Sequence, residues 1–227
     1  MSTSKPPMPE GLIFREEGEE LKLVGNFEQL YQQVADPWEQ SGMPTLSRAK
    51  YYDNSRARLV DAVRKLTTRR RWSGLEVGCG HGHLLYHLRS VGGDWTGIDI
   101  SPTAIRQAKV LWPNQQFWAM DITKPSVLRY MTTHQVIVLA QLWWYILENM
   151  HTVLVNCVSN LTDDGYLVVS QAFLRGEQRY GREIANGFQG ALRLLLNFPE
   201  LEVIHANLEH SGNYIHDDGI IVLRKKT

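Results

Sequence analysis

The chain has 227 residues, 43% of them hydrophobic and 21% charged, with a formal net charge of +0. That length and balance suit one α/β domain with a short extension and are enough to build a core. Zero net charge excludes a global field that would draw the chain to nucleic acid or to an anionic membrane, and no apolar run approaches the roughly 18 residues that a membrane helix needs.

Met1 to about Gly25 mixes Pro, Gly and Glu without a steady period and is expected to be a loose tail or a lid. Its first part, Met1 to Glu10, is polar and Pro-rich with no apolar signal core, so a cytoplasmic setting is expected. Phe27, Leu30, Tyr31 and Val34 have helical spacing over Asn26–Ala35, with Asn26 placed to cap. Asp36-Pro37-Trp38 ends that helix, because proline disfavours helix at the residue before it. A loop with Gly42 and Pro44 follows. Leu59, Val60, Val63 and Leu66 then share one face of a helix over Ser55–Thr67. The basic run Arg69, Arg70 and Arg71 is expected to be a solvated helix end.

From about Trp72 strands and helices alternate. The expected strands are Gly74–Val77, Trp95–Asp99, Gln116–Met120, Gln135–Ala140, Tyr166–Ser170, Glu202–Ala206 and Gly219–Arg224. Helices are expected near Gly82–Val91, Pro102–Leu111, Val127–Met131, Trp144–Leu161 and Glu183–Phe198, the last with Leu192, Leu194, Leu195 and Leu196 in the core. The pattern predicts a Rossmann-like α/β fold: seven strands, mostly parallel, helices on both faces. The last two strands leave no room for a crossover helix, so the last is expected to run antiparallel. The domains expected are residues 1–71 as tail and helical lid, and 72–227 as the cofactor-binding domain. The two cysteines, Cys79 and Cys157, make neither a disulfide framework nor a metal spacing.

The strongest chemical signal is Leu75-Glu76-Val77-Gly78-Cys79-Gly80-His81-Gly82-His83, a glycine turn between a strand and a helix. Glycines let the backbone turn sharply and approach a ligand closely, and the helix start offers unpaired N–H groups. The spacing Gly-x-Gly-x-Gly is tighter than the dinucleotide form. Asp99 ends the next strand about 20 residues on, where a ribose would lie. Asp121 ends the third, where a carboxylate can accept from an adenine amino group. Three such elements at the ends of successive strands face one crevice.

On these residues the chain, from about Trp72 to Arg224, resembles class I S-adenosylmethionine-dependent methyltransferases. The resemblance implies that Glu76, Gly78, Cys79, Gly80 and Gly82 hold the amino-acid end of the cofactor. Asp99 would take the ribose with Ile100 under the adenine, and Met120, Asp121 and Ile122 would frame the adenine edge. Leu139-Ala140-Gln141-Leu142-Trp143-Trp144-Tyr145-Ile146, at the end of the fourth strand, lacks the Asn/Asp-Pro-Pro-aromatic element of DNA and protein methyltransferases. It looks more like the small-molecule branch, and in particular like nodulation-type N-methyltransferases acting on amino sugars. Asp36-Pro37-Trp38 and Tyr51-Tyr52 with Arg56 fit that subgroup, while Gln141 replaces its usual carboxylate.

Aromatic faces stabilise a methyl sulfonium or a protonated amine without acting as nucleophiles, so Trp143, Trp144 and Tyr145 are expected to line the acceptor pocket. Trp38 and Tyr52 would close it, and Arg56 would pair with the methionyl carboxylate. Tyr52 and Gln141 could orient an acceptor, Gln141 touching the cofactor as well. His216, with Asp217 behind it, could act as a base if the last hairpin reaches the site. The polar stretch from Arg175, with Glu177, Arg179, Tyr180, Arg182 and Glu183, is a candidate rim. No metal is expected at His81-x-His83, which has no third ligand.

The reading is methyl transfer to an amine or hydroxyl of a small molecule, a sugar among the candidates, by a monomer or homodimer with no nucleic-acid or membrane partner. The alternatives are an RNA or protein methyltransferase, a cofactor-binding protein without turnover, and a nicotinamide-dependent oxidoreductase, which the tight glycine spacing and Asp121 disfavour.

Overall fold

Strand β6 (His134–Ala140) carries the run Val136-Ile137-Val138-Leu139, buried throughout. A strand apolar on both faces belongs at the centre of a sheet covered on both sides. It sits there, in a seven-stranded sheet of order β5-β4-β3-β6-β7-β9-β8. The other strands are β3 (Ser73–Val77), β4 (Asp94–Asp99), β5 (Gln116–Ala119), β7 (Leu161–Leu174), β8 (Leu201–His210) and β9 (His216–Lys225). Strands β3 to β7 pair in parallel, and β9 runs antiparallel between β7 and β8. The computed structural model describes residues 11–41, 47–66, 72–210 and 215–226. Gly42, Pro44, the Arg69–Arg71 run and the first ten residues lie outside the described residues.

Alternation along the strands divides the core in two. Val136, Val138, Val168 and Val222 face helices α2 (Ser47–Leu66), α3 (His83–Leu88) and α4 (Pro102–Leu111). Ile137, Leu139, Leu167, Val169, Ile221 and Leu223 face α5 (Trp143–Ile146), α6 (Met150–Asn160) and α7 (Gly187–Leu196). Leu59, Val60 and Val63 of α2 join the first cluster, each burial worth about 1.5–3 kcal/mol. The order of strands reverses between β3 and β6, which opens a crevice at their carboxyl ends.

Several expectations are corrected. Helix α2 begins at Ser47, eight residues before the expected start. Residues 127–131 form turns closed by Arg129 N–H to the Ser126 carbonyl and Met131 N–H to the Leu128 carbonyl, not a helix. The expected Trp144–Leu161 helix is broken into α5, a 3₁₀ turn at Leu147–Asn149 and α6. Helix α7 starts at Gly187, and Leu196 on it is exposed. Strands β7 and β8 run well past their expected ends.

The tail is not loose from residue 11 on. Strands β1 (Phe14–Glu17) and β2 (Glu20–Leu23) form a hairpin with Glu17 opposite Glu20, turning through Gly18 at φ 66°, the left-handed backbone a two-residue hairpin loop favours. Helix α1 (Phe27–Gln33) follows, and Asn26 stands at its start without a capping side-chain bond. Glu28 ties α1 to the start of α4: its carboxylate accepts from the Ser101 hydroxyl at 2.6 Å, the Thr103 hydroxyl at 2.6 Å and the Thr103 N–H at 3.0 Å. Against the opposing pull of burial, these bonds hold its pKa at about 2.

Candidate active site

A cavity of about 780 Å³ lies over the crevice. Its floor is the turn Gly78–His81 after β3, Asp99 and Ile100 after β4, Met120 to Thr123 after β5, and Gln141 after β6. Its roof is Phe14 and Leu21 of the hairpin, Phe27 and Tyr31 of α1, and Trp38.

The glycine turn is shaped by what surrounds it. Gly78 and Gly80 have φ of 72° and 51°. A Cβ on Gly78 would come within 2.7 Å of Leu142, and one on Gly80 within 2.6 Å of the Tyr31 hydroxyl. Leu142 or the Tyr31 hydroxyl would have to shift to admit either Cβ, and the positive φ at both positions favours glycine whatever the space. Gly82 plays a different part: it starts α3 at φ 76°, a Cβ there would strike Phe117, and it does not line the cavity. Asp99 accepts from Gly80 N–H at 2.8 Å and Ser101 N–H at 2.9 Å, which locks the glycine turn to β4. Burial raises its pKa against those two bonds. Asp121 accepts from Thr123 N–H and the Thr123 hydroxyl, with Lys124 at 3.6 Å. Ile100 is exposed at the cavity mouth, a flat apolar surface.

Arg56 and Glu76 both line the cavity, and each feels the other's charge. Arg56 is no solvated helix charge: it is buried and donates to Asp53 at 2.9 Å and to the Gln40 side chain at 3.2 Å. Burial lowers its pKa, and the charges of Asp53 and Glu76 oppose that. Glu76 is 3% exposed, and its Oε2 has no hydrogen-bond partner among the described residues. Burial pushes its carboxyl up to about 8, with Arg56 pulling the other way. A buried carboxylate oxygen without a donor beside a buried guanidinium suits a ligand carrying both an ammonium and a carboxylate.

At the end of β6, Gln141 sits at φ 54°, a strained backbone for a residue with a Cβ. Its side chain is spent on holding the site together. The amide oxygen accepts from Ala172 N–H at 3.1 Å and from Gln171 at 3.2 Å. The amide nitrogen donates to the Tyr51 hydroxyl at 3.1 Å and the Ser55 hydroxyl at 3.4 Å. Tyr51 in turn donates to Asp218 at 2.7 Å, and Asp218 is also paired with Arg58.

His216 does reach the cavity, 4.8 Å from the Tyr51 ring centre to centre. Burial holds its imidazole below the usual value. Asp217 is not the acid behind it. Successive strand residues point to opposite faces, so Asp217 turns to Arg175 and His210, and Asp218 shares the face of His216.

Among the aromatics, Trp144 and Tyr145 line the cavity and Trp143 does not. Trp143 is 1% exposed, inside the core. Tyr52 lines the cavity with its ring 5.7 Å from the Arg56 guanidinium. Trp38 donates to the Tyr31 hydroxyl at 2.9 Å, above the glycine turn. On the polar rim, Arg179 and Tyr180 line the cavity, and Arg179 carries the hairpin: it bonds Glu16 and the Glu19 carbonyl, and its own carbonyl accepts from Leu21 N–H. Phe14, Tyr31, Tyr51, Gln171 and Asp218 were absent from the expected site. Phe14 sat in a stretch without helical period, Tyr31 and Gln171 are ordinary core or strand types by pattern alone, Tyr51 was read only as part of the Tyr51-Tyr52 pair, and Asp217 was taken in place of Asp218.

A glycine cradle after β3, acids ending β4 and β5 and a covered cavity at the switch point define a Rossmann-like transferase site. Residues 48–212 match the family described as "Methyltransferase domain", and the chain belongs to that family. It is a class I S-adenosylmethionine-dependent methyltransferase. No curated protein matches the sequence. Among solved structures, the fold is shared with N-methyltransferase NodS from Bradyrhizobium japonicum WM9, crystallised with S-adenosyl-L-homocysteine. The TM-score is 0.66 at 21% identity, over 89% of this chain and 100% of that one. It is shared also with magnesium protoporphyrin IX methyltransferase (ChlM) from Synechocystis PCC 6803, at a TM-score of 0.65 and 11% identity, over 88% and 96% of the two chains. A TehB-like methyltransferase from Corynebacterium glutamicum gives 0.58 at 22% identity, over 88% and 98%. No helix of the described residues is long and apolar enough to cross a membrane.

Proposed function

We propose that the protein methylates an amine or hydroxyl of a small molecule held beneath the N-terminal roof. One observation carries the placement of the cofactor: the buried, unpartnered Glu76 oxygen beside Arg56 under the glycine cradle. That pair is complementary to the ammonium and carboxylate of a methionyl group. Asp99 keeps lone pairs for ribose hydroxyls beyond its two backbone donors, Ile100 offers a face to adenine, and Asp121 stands at its edge with Met120 and Ile122. Residues 1–71 act as the covering unit and 72–227 as the cofactor-binding domain.

When bound, S-adenosylmethionine supplies a methyl group on a cationic sulfur, already activated for displacement. The chain's own residues then have three tasks. The Gln141 network fixes the floor beside the acceptor, because both ends of its amide are tied. The roof of Phe14, Phe27 and Trp38 excludes water. His216, neutral at pH 7 because burial lowers its pKa, is available to take a proton from the acceptor. The enclosing roof favours a small molecule over a macromolecular chain. NodS and ChlM, whose names give an N-methyltransferase and a porphyrin methyltransferase, share this fold. Isothermal titration with S-adenosylhomocysteine, with NADH as control, tests the cofactor: we expect binding of the first alone, and binding of NADH alone would reverse the reading.

A further inference from the structure

Tyr31 is buried, polar and outside the chemistry described so far. It lies on α1, is 4% exposed, and lines the cavity together with Gly80 and Asp99. Its hydroxyl oxygen accepts from Trp38 Nε1 at 2.9 Å. The hydroxyl hydrogen meets no acceptor among the described residues. A phenol donor left unmade in a covered site is costly, and buried polar groups of folded proteins are matched by a partner. Burial, and after it the charge of Asp99, holds the phenol well above its ordinary range, so the hydrogen stays in place to be donated.

The position of that hydroxyl ties it to Asp99. It rests on the glycine turn, where a Cβ on Gly80 would come within 2.6 Å of it, and Gly80 N–H donates to Asp99 Oδ2 at 2.8 Å. Glu28 stands three residues before Tyr31 on α1, close on the same side of the helix. It accepts from the Ser101 hydroxyl, and Ser101 N–H donates to Asp99 Oδ1 at 2.9 Å. One short helix thus reaches both backbone segments that hold Asp99, Gly80 through Tyr31 and Ser101 through Glu28. Each Asp99 oxygen has one N–H donor and a further lone pair, enough for the two hydroxyls of a ribose. A ribose hydroxyl that donates to Asp99 keeps lone pairs of its own to accept a hydrogen.

We infer that Tyr31 is a cofactor-binding residue, whose hydroxyl donates to a ribose hydroxyl that Asp99 also holds. The inference rests on the placement of the ribose at Asp99 proposed above. It makes α1 part of the cofactor site and not only a cover, so the nucleoside is gripped by the N-terminal unit as well as by the sheet. No proton is transferred; the contact orients the ribose and supplies Tyr31 with the acceptor it lacks.

The test is calorimetric titration of the full chain and of its Tyr31→Phe variant with four ligands. These are S-adenosylhomocysteine, its 2′-deoxy and 3′-deoxy forms, and 5′-methylthioadenosine, which keeps the ribose and lacks the amino-acid end. Tyr31→Phe is expected to weaken S-adenosylhomocysteine and 5′-methylthioadenosine alike, by about fivefold or more. It is expected to weaken one of the two deoxy ligands by no more than about twofold, because the hydroxyl that Tyr31 serves is missing from it. The melting transition without ligand reports that the variant is folded. Unchanged affinity for S-adenosylhomocysteine in the variant would overturn the inference. A loss confined to S-adenosylhomocysteine would overturn it too, by assigning the hydroxyl to the amino-acid end. An equal loss on both deoxy ligands would do the same, by making the effect one of roof packing. If the unsubstituted chain bound neither S-adenosylhomocysteine nor 5′-methylthioadenosine, the cofactor reading itself would fall; if it bound both and Tyr31→Phe changed neither, only the role of Tyr31 would.

Discussion

Glu76 offers the sharpest test of the cofactor placement. In the cofactor-free protein its carboxyl is raised to about 8 by burial, with Arg56 opposing. At pH 7 about nine-tenths of molecules then carry the proton on Glu76. An ammonium placed against Oε2 favours the ionised form, so binding must expel that proton. Titration with S-adenosylhomocysteine at pH 7 in buffers of different ionisation enthalpy should report release of about 0.9 proton per molecule bound. Affinity should rise by up to about tenfold per pH unit on approach to pH 8 and level off above it. Glu76→Gln should abolish both the release and the slope. The same group sets a stability slope. Because the folded-state pKa lies above the ordinary glutamate value of 4.5, the unfolded chain loses this proton first. The contribution of Glu76 to stability is therefore fully present at low pH and falls as pH rises from about 4.5 through 8. Ionising such a carboxyl costs on the order of 5 kcal/mol at most. Water entering the cavity returns part of that, so Glu76→Gln should stabilise the cofactor-free protein at pH 9 by about 2 kcal/mol or more in chemical denaturation. Binding without proton release, or a variant no more stable at pH 9, would refute the reasoning.

Gly80→Ala puts a Cβ 2.6 Å from the Tyr31 hydroxyl on a backbone at φ 51°; the strain alone costs roughly 1–2 kcal/mol, and calorimetry should show weakened S-adenosylhomocysteine binding. Trp143→Ala empties a core position and should cost about 3–5 kcal/mol in denaturant unfolding, far more than Trp144→Ala at the cavity wall. Gln141→Leu leaves the Ala172 N–H without its acceptor and should cost about 1–3 kcal/mol in the same assay. Glu28 is depressed to about 2 by its hydrogen bonds. Its stabilisation is complete above about pH 4.5 and is lost as pH falls toward 2, so Glu28→Gln should flatten the acid limb of the unfolding profile.

What the sequence made legible is what backbone chemistry dictates. The glycine turn, the acids ending β4 and β5 and the buried run of β6 are local patterns with one physical reading, and all stand where expected. The helix expected at residues 127–131 failed because Ser126 at φ 55° and i→i+3 bonds close turns there instead. Trp143 and Tyr145 are two residues apart on a short helix, so they cannot share a face. Composition alone could not say which faced the cavity. Asp218 was hidden for the opposite reason: period 2 along β9 makes it, not Asp217, the neighbour of His216, but only the register of β9 against β7 shows which face meets the cavity.

The roof was the least legible part, and its construction explains why. In Phe14-Arg15-Glu16-Glu17-Gly18-Glu19-Glu20-Leu21-Lys22-Leu23 only three residues are apolar, too few to mark strands by pattern. Pairing brings all three to one face, since Phe14 lies opposite Leu23 and Glu16 opposite Leu21. The fourth residue of that face, Glu16, takes Arg179 across an exposed pair with side chains 73% and 45% exposed. A pair that open to water contributes little. The hairpin is therefore held chiefly by the Phe14 ring against Tyr145 and Tyr180 and by the backbone bond from Leu21 to Arg179. The ring that fastens the roof also lines the cavity, so the part of the site hardest to see by pattern is fixed by packing between segments far apart in sequence.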